Sequence, residues 1–238
     1  MTDAAHVHDL GLSLINPADH DRLRDDFARL SRPVRLLFFT QSAAHLACAQ
    51  TRQVIAELAA LTDRLFIEEV SVDVAPERAS AYGIEHVPAL ALIGVDADGH
   101  ERDSHIRFIG TPAGYEFVSL IRALLLVGGG SSSLSDVSRR KLATIDRPMS
   151  MWVFSTPTCP HCPKAVMLAH EIAWANPHVT AYAVEVTEYP DLARRYRVTG
   201  VPKTVVNNVV EILGAVPEDT FIDETLAGFA AGTDGGVL

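Results

Sequence analysis

Two cysteines, Cys159 and Cys162, are separated only by Pro160 and His161. Sulfurs at this spacing can serve as half of a zinc site, as a structural disulfide, or as a dithiol that exchanges electrons with other disulfides. The chain has one further cysteine, Cys48, so its three cysteines cannot all pair within the molecule. The residues around the pair are needed to distinguish these three kinds of site.

Zinc and a passive disulfide are the weaker alternatives. A structural zinc ion takes four ligands, and the two cysteines supply only two. His161 lies between them and is badly placed to bind the same ion, while His170 and His178 do not follow a ligand spacing. We therefore predict no metal and no other cofactor. A non-enzymatic protein that binds a metal or serves as an adaptor stays as the alternative function.

The compartment also bears on the disulfide. The N-terminus lacks a basic region followed by a long apolar stretch, so we expect no signal peptide, and the apolar runs are too short to span a membrane. We therefore expect a cytoplasmic protein with no membrane partner. Thiols are kept reduced there, which favours a catalytic pair over a structural disulfide.

The predicted position of Cys159 favours electron exchange. It follows a predicted buried strand over residues 149–155 and precedes a long helix, which Thr158 or Cys159 itself would cap. Unpaired N–H groups and the positive end of the helix dipole would stabilise the nucleophilic thiolate there. Cys162, one turn further on, would be partly buried. We predict that Cys159 attacks a substrate disulfide and that Cys162 then releases the reduced substrate.

The two residues between the cysteines are expected to support this dithiol. Pro160 stiffens the first turn and lacks an N–H that would be unpaired at that position. His161 can donate a hydrogen bond to the Cys159 thiolate. This donation stabilises the reduced form, so the pair should be more oxidising than one with an apolar dipeptide.

Composition limits the class of partner. The chain has 238 residues, 48% of them hydrophobic, which is enough for one large core or two ordinary ones. Its formal charge is −10 and no block of like charges appears, so nucleic acid is not expected as a partner. The N-terminal segment HVHD, residues 6–9, carries two histidines that we expect to be solvated rather than to bind metal.

The sequence repeats itself. "RPVRLLFFT" from Arg32 matches "RPMSMWVFS" from Arg147, and "AYGIEHVPALALI" from Ala81 matches "RYRVTGVPKTVVN" from Arg195, at offsets of 115 and 114 residues. Self-similarity over about a hundred residues indicates tandem domains. The glycine and serine run at residues 127–136 is predicted to be a flexible joint, with Ser133 or Ser135 capping the next helix. We therefore predict two domains, residues 1–130 and 131–238.

Both halves show the same order of predicted elements. In each half a first helix precedes a β-α-β-α-β-β-α plan. In the first half the helix spans residues 17–30, capped by Asn16, and the first two strands span 34–40 and 66–72. In the second half the helix spans 134–145 and the strands span 149–155 and 179–186. The first two strands should be parallel, and a hairpin with a tight turn at 96–99 or 207–208 should follow. The predicted fold class is α/β, with a mixed central sheet and helices on both faces in each half.

The passages "FSTPTCPHCPKAV" and "VTEYPDLARRYRVTGVPKTVVN" and the duplicated layout resemble the protein disulfide oxidoreductase family, glutaredoxin-like two-domain proteins of prokaryotes. The second-half motifs also resemble the N-terminal domain of the alkyl hydroperoxide reductase flavoprotein. The resemblance implies two packed thioredoxin folds with the active dithiol in the second half. It also implies exchange with disulfide-containing proteins, a flavoprotein of the thioredoxin reductase type or glutathione as electron donor, and transfer to a peroxide-reducing partner.

The resemblance gives a role to two Val-Pro pairs, one before the predicted hairpin of each half. Pro202 would be cis and would face the Cys159 sulfur, and Val201 would offer its backbone N–H and C=O to an extended substrate. An ordinary trans proline at the start of a strand is the alternative. A second pair, Val87 and Pro88, at the equivalent place favours cis for both. Docking through the backbone predicts broad substrate tolerance.

The chain departs from the family at two places. Val153 stands where thioredoxins carry a buried acid, so water, Lys164 or Glu185 would have to accept the proton of Cys162; the alternative for each of these two residues is a solvated place on the surface. Ala44 and Ala47 stand 115 residues before the two cysteines, so the first half cannot perform dithiol chemistry.

We expect the first half to be a scaffold rather than a docking groove. We also expect its remaining Cys48 to be a partly buried, unreactive thiol. The alternative for Cys48 is a thiol that reacts or forms dimers.

Overall fold

An eight-stranded mixed sheet runs through both halves of the chain. A computed structural model describes residues 14–41 and 46–232, so the HVHD segment and Ala44 lie outside the described residues. The strands are β1 (Val34–Thr40), β2 (Leu65–Ser71), β3 (Ala89–Val95), β4 (Glu101–Ile109), β5 (Met149–Ser155), β6 (Val179–Glu185), β7 (Lys203–Val206) and β8 (Val210–Leu213). Their spatial order is β2-β1-β3-β4-β6-β5-β7-β8.

Each half pairs its strands in the way the sequence predicts. β1 is parallel to β2 and β5 is parallel to β6, while β3–β4 and β7–β8 are antiparallel hairpins. The halves meet where β4 pairs in parallel with β6, from Ile106 opposite Ala181 to Ile109 opposite Val184. The predicted tandem thioredoxin folds are confirmed, and they share one continuous sheet.

Helices cover both faces of the sheet, as predicted. They are α1 (His20–Phe27), α2 (Leu46–Ala59), α3 (Pro76–Ala81), α4 (Tyr115–Val127), α5 (Asp136–Leu142), α6 (Cys162–Ala175), α7 (Pro190–Arg195) and α8 (Glu218–Ala231). The apolar sides of α1, α2, α4, α5, α6 and α8 form one core against one face, while the short α3 and α7 cover the other. None of the helices in the described ranges is long and apolar enough to cross a membrane.

Element ends follow local signals closely. β1 and β5 have the predicted bounds, and β2 begins one residue earlier than predicted. Asn16 accepts a hydrogen bond from the N–H of Ala18 and starts a short 3-10 turn that leads into α1. Ser135, one of the two candidate caps, accepts from the N–H of Ser138 at the start of α5. These side chains satisfy N–H groups that a helix start leaves unpaired.

The glycine and serine run is bonded to both halves, which differs from the predicted flexible joint. Gly130 donates to the carbonyl of Leu125 at 2.9 Å, which ties the run to α4. The carboxylate of Glu171 on α6 accepts from Ser132 Oγ, from Ser133 N–H and from Ser133 Oγ at 2.9–3.1 Å. Glu171 is buried, and a buried carboxylate needs such donors. A domain boundary at residue 131 stays a prediction.

Candidate active site

Cys159 and Cys162 form a disulfide at the start of α6, with their Cα atoms 5.5 Å apart. Cys159 lies in the turn that follows β5, and Cys162 is the first residue of the helix. The side chain of Cys159 is 8% exposed and that of Cys162 is 1% exposed, so Cys159 is the sulfur that a partner can reach first. This arrangement fits the predicted roles of attacking and resolving cysteine.

The helix begins two or three residues later than predicted, depending on which of the two candidate caps is compared. Neither Thr158 nor Cys159 caps α6; the N-cap residue is His161, and its side chain makes no capping hydrogen bond. Pro163 explains the difference, because a proline fits the first turn of a helix, where its missing N–H is not needed. With Cys159 as the cap, Pro163 would occupy the fourth position, whose N–H must bond to the cap carbonyl. The N–H of Cys162 donates instead to the carbonyl of Cys159, at 3.4 Å.

The predicted supporting residues surround the disulfide on its outer side. Pro160, His161 and Lys164 are not buried. Lys164 Nζ donates to the carbonyl of Ala215 at 3.5 Å, in the loop after β8. Lys164 therefore borders the site, and roles for these three residues stay predictions.

The edge formed by Val201 and Pro202 lies beside the sulfur of Cys159, the less buried of the two cysteines. The Val87-Pro88 and Val201-Pro202 peptide bonds are both cis, which confirms the prediction. Cys159 Sγ lies 3.8 Å from the carbonyl oxygen of Val201. Pro202 is buried, and its carbonyl accepts from the N–H of Gly214 at 2.8 Å. The backbone of Val201 therefore borders the sulfur that would be attacked.

A buried carboxyl group from the first half lies beneath the site, and sequence reasoning missed it. Glu116, at the start of α4, is 6% exposed and accepts a hydrogen bond from Ser155 Oγ at the end of β5. The preceding Tyr115 donates its N–H to the carbonyl of Pro157 at 2.9 Å, in the turn that leads to Cys159. The start of α4 is thus docked on the active-site turn of the other half.

Burial governs the ionisation of Glu116. Loss of solvation raises the pKa of its carboxyl group to about 8. The hydrogen bond from Ser155 lowers this pKa, and the nearby carboxylates of Glu185 and Glu188 raise it further. A sequence signal exists, because Glu116 stands in line with Leu120, at helical spacing on a buried apolar stripe. A lone acid on such a stripe indicates a group held in the interior.

A small cavity adjoins this carboxyl group. Its volume is about 10 Å³, and Glu116, Ser155, Val166 and Glu185 are among the residues that line it. This volume is close to that of one water molecule. Val166, which lines the cavity, is one helical turn beyond Cys162 on α6. The second oxygen of Glu116 has no hydrogen-bond partner within the described part of the chain.

Glu185, the candidate acid from the sequence, is engaged by its own loop. Its carboxylate accepts from the N–H of Thr187 at 3.0 Å, from Thr187 Oγ1 at 2.6 Å and from the N–H of Glu188 at 2.9 Å. Both oxygens are therefore used to hold the loop that follows β6.

The cleft of the first half is covered by that same loop. Tyr189 Oη donates to the carbonyl of Pro88 at 3.4 Å, and its ring lies 5.2 Å from the ring of His86. Thr111 donates its N–H to Glu188 at 3.0 Å. Cys48, in α2, is a free thiol that is 2% exposed. The second half therefore packs against the cis-proline of the first half.

The candidate zinc ligands lie apart from the cysteines. His170 is eight residues along α6, about 12 Å from Cys162 by the helical rise. It is fully buried, which lowers its pKa to about 3, and it packs edge-on against Phe108 with ring centres 5.0 Å apart. Within the described ranges, the one group of three close metal-ligating side chains is exposed in the β3–β4 turn, at Asp96, Asp98 and His100.

Comparisons of sequence place the dithiol half among known proteins. The family model of the thioredoxin domain matches residues 149–227. A thioredoxin of Methanocaldococcus jannaschii is 35% identical over 72 residues, which are 30% of this chain and 85% of the thioredoxin. The alkyl hydroperoxide reductase protein AhpF of Escherichia coli K12 is 26% identical over 187 residues, 78% of this chain and 32% of that protein. The AhpF protein of Pseudomonas putida is 29% identical over 123 residues, which are 48% of this chain and 24% of that protein. The chain thus spans a third or less of the length of these AhpF relatives.

Solved structures extend the similarity to both halves. The alkyl hydroperoxide reductase protein AhpF of Enterococcus faecalis V583 (C503A mutant) superposes with a TM-score of 0.79 at 28% identity, over 88% of this chain and 98% of the other. A protein disulfide oxidoreductase of Aeropyrum pernix K1 gives a TM-score of 0.81 at 25% identity, over 93% and 97%. The chain has a cis-proline edge and a dithiol at the start of α6, and it is 35% identical to a thioredoxin over 85% of that protein. It therefore belongs to the thioredoxin family of thiol–disulfide oxidoreductases.

Proposed function

We propose that this protein reduces or exchanges disulfides in protein substrates through Cys159 and Cys162. The observation that carries the proposal is a disulfide whose less buried cysteine, Cys159, lies beside the backbone edge of Val201. An extended substrate can pair with such an edge through its own backbone, which places its disulfide next to Cys159. The compartment expected from the sequence, the cytoplasm, is part of this proposal.

The reaction is a pair of thiol–disulfide exchanges. The Cys159 thiolate attacks one substrate sulfur, so a mixed disulfide forms and the other substrate sulfur leaves as a thiolate. Cys162 loses its proton and attacks Cys159, which releases the second substrate thiolate. The protein ends as the Cys159–Cys162 disulfide, and the substrate has gained two electrons and two protons. A dithiol donor returns the protein to its reduced form by the same steps in reverse.

Glu116 is the group best placed to accept the proton of Cys162. Its pKa of about 8 is close to the ordinary pKa of a thiol, about 8.5, so a proton can move between them at little cost. One oxygen of Glu116 has no hydrogen-bond partner among the described residues, and the adjoining cavity has room for about one water. This acid from the first half takes the place left by Val153, and Lys164 and Glu185 are not needed for the step.

The first half thus serves the site of the second half. It supplies Glu116 and docks α4 on the active-site turn, while Tyr189 of the second half bonds to the carbonyl of Pro88 in the first. These contacts support a scaffold role over a separate docking groove.

Partners follow from the relatives by analogy. Two of the similar proteins are named as components of alkyl hydroperoxide reductase, and a similar structure is a protein disulfide oxidoreductase. We propose that electrons come from a flavoprotein of the thioredoxin reductase type or from glutathione, and pass to a peroxide-reducing partner or to other disulfide proteins.

Insulin reduction by dithiothreitol tests the proposal. The wild-type protein should accelerate precipitation of the insulin B chain, Cys159→Ser should abolish the acceleration, and Cys162→Ser should accumulate a mixed disulfide visible on a non-reducing gel. Cys48→Ala, which changes a buried thiol outside the dithiol, is the control and should behave as wild type. A wild-type protein no faster than dithiothreitol alone, or an active Cys159→Ser variant, would exclude the function.

A further inference from the structure

A buried lysine stands directly after the cis-proline of the dithiol half. The side chain of Lys203 is 3% exposed, and its ammonium contacts three acceptors. They are the carbonyl of Tyr196 at 2.7 Å, the carbonyl of Arg197 at 3.4 Å and the carboxylate of Glu211 at 2.9 Å. An ammonium has three N–H donors, so each of them has a partner. This full set of partners allows a charge to remain in the interior.

The two carbonyls belong to the segment that leads to the substrate edge. α7 ends at Arg195, and Arg197 takes a left-handed conformation with φ of 48°. The chain then runs to Val201, whose carbonyl lies 3.8 Å from Cys159 Sγ. The ammonium of Lys203 therefore ties the beginning of this loop to the strand at its end. A cation is also favoured at the C-terminal end of a helix, where carbonyls are unpaired.

The first half holds the same carbonyl in another way. Ala89 stands 114 residues before Lys203, so the first half has no cation at that position. The carbonyl of Tyr82, which stands 114 residues before Tyr196, accepts instead from Arg107 Nε on β4 at 3.1 Å. Both halves thus bind this carbonyl with a buried cation. Only in the half with the dithiol is that cation adjacent to the cis-proline.

We propose that Lys203 is a positioning residue that holds the backbone edge of Val201 where an extended substrate pairs with it. The inference rests on the proposed function and adds to it the residue on which polypeptide recognition depends. Lys203 lies on the face of the sheet covered by α7 and acts on the loop rather than on the sulfurs. Its loss should therefore weaken reactions of polypeptide disulfides and spare those of small disulfides, which do not pair with the edge.

Two substrates separate these effects. For Lys203→Met we expect kcat/KM with insulin to fall about tenfold, the usual size of a lost hydrogen bond to a charged group. With 2-hydroxyethyl disulfide, a small neutral substrate, we expect the rate to stay within about twofold of wild type. Lys203→Arg keeps donors for the same carbonyls and should recover most of the insulin activity. Lys141→Met is the control, because Lys141 also pairs with a carboxylate, that of Asp223, but on α5 and exposed to solvent.

The outcomes distinguish a failed role of Lys203 from a failed function of the whole site. Equal losses with both disulfides, or no loss with either, would overturn the role of Lys203. A wild-type protein inactive with both would overturn the proposed function instead. If thermal unfolding shows that Lys203→Met does not fold, Lys203→Gln, whose amide can still donate to one carbonyl, is measured with the same pair of substrates, and the same pattern is required.

Discussion

Replacing Glu116 by glutamine should change how the stability of the protein depends on pH. The amide keeps a hydrogen-bond acceptor for Ser155 and removes a group that titrates in the interior. Burial raises the pKa of Glu116 from 4.5 to about 8, so the folded state favours the protonated form. The stabilising effect of a raised pKa is complete below the unfolded value and is lost as the pH rises through the folded value. Wild-type stability should therefore fall between about pH 4.5 and about pH 8.

The size of the loss follows from the same shift. A change of about 3.5 pKa units at about 1.36 kcal/mol for each unit corresponds to about 5 kcal/mol in the free energy of unfolding, reached above the folded pKa. A typical domain has a total stability of about 5–15 kcal/mol, so the effect is large enough to measure. The glutamine variant has no such proton to lose, and its stability should not contain this decrease.

Urea unfolding from about pH 5 to about pH 9 provides the measurement. Both proteins are kept oxidised so that Cys159 and Cys162 do not titrate. The wild-type free energy of unfolding should fall more steeply than that of Glu116→Gln, and the difference should level off near the upper end of the range. Glu224→Gln, which alters an exposed glutamate on α8, should follow the wild-type curve. Parallel curves for wild type and Glu116→Gln would refute the reasoning.

Two further predictions concern accessibility and close packing. Cys48 is 2% exposed, so iodoacetamide should alkylate Cys159 in the native reduced protein and leave Cys48 unmodified until denaturant is added. Mass spectrometry measures both rates of modification, and equal rates for the two cysteines would contradict this prediction. Gly114 has φ of 55°, and a Cβ there would lie 2.3 Å from the carbonyl oxygen of Pro157, so Gly114→Ala should lower the free energy of unfolding by about 2 kcal/mol or more. Gly99 also has a positive φ, but the space around it is open, so Gly99→Ala should lower the free energy of unfolding by less than Gly114→Ala. Equal losses for the two variants would argue against the contact with Pro157.

Local signals predict much of the fold. The bounds of β1 and β5 follow from short apolar runs between turn residues, and the Asn16 and Ser135 caps follow from side chains that bond to nearby N–H groups. Such features depend on residues a few positions apart, which a sequence displays directly. The predicted start of α6 is two or three residues too early because the prediction leaves out the effect of Pro163 on the helix.

Long-range features escape the sequence for a physical reason. Glu116 and Ser155 are 39 residues apart, and they meet only because β4 pairs with β6 and α4 packs against α6. The binding of Ser132 and Ser133 by Glu171 depends on the same packing. A run of glycines and serines predicts a flexible backbone. Its composition does not reveal that the distant carboxylate of Glu171 accepts hydrogen bonds from it.

The sequence by itself determined that one half has a dithiol and the other does not, since Cys159 and Cys162 match alanines at a fixed offset. It also determined the duplicated layout and the two Val-Pro edges, because these are written in residue types and their spacing. Only the tertiary structure decided that a buried acid from the half without the cysteine pair bonds to Ser155, at the end of the strand that leads to the dithiol. Burial sets the pKa of Glu116, and burial is a property of the packed interior that no stretch of sequence possesses alone.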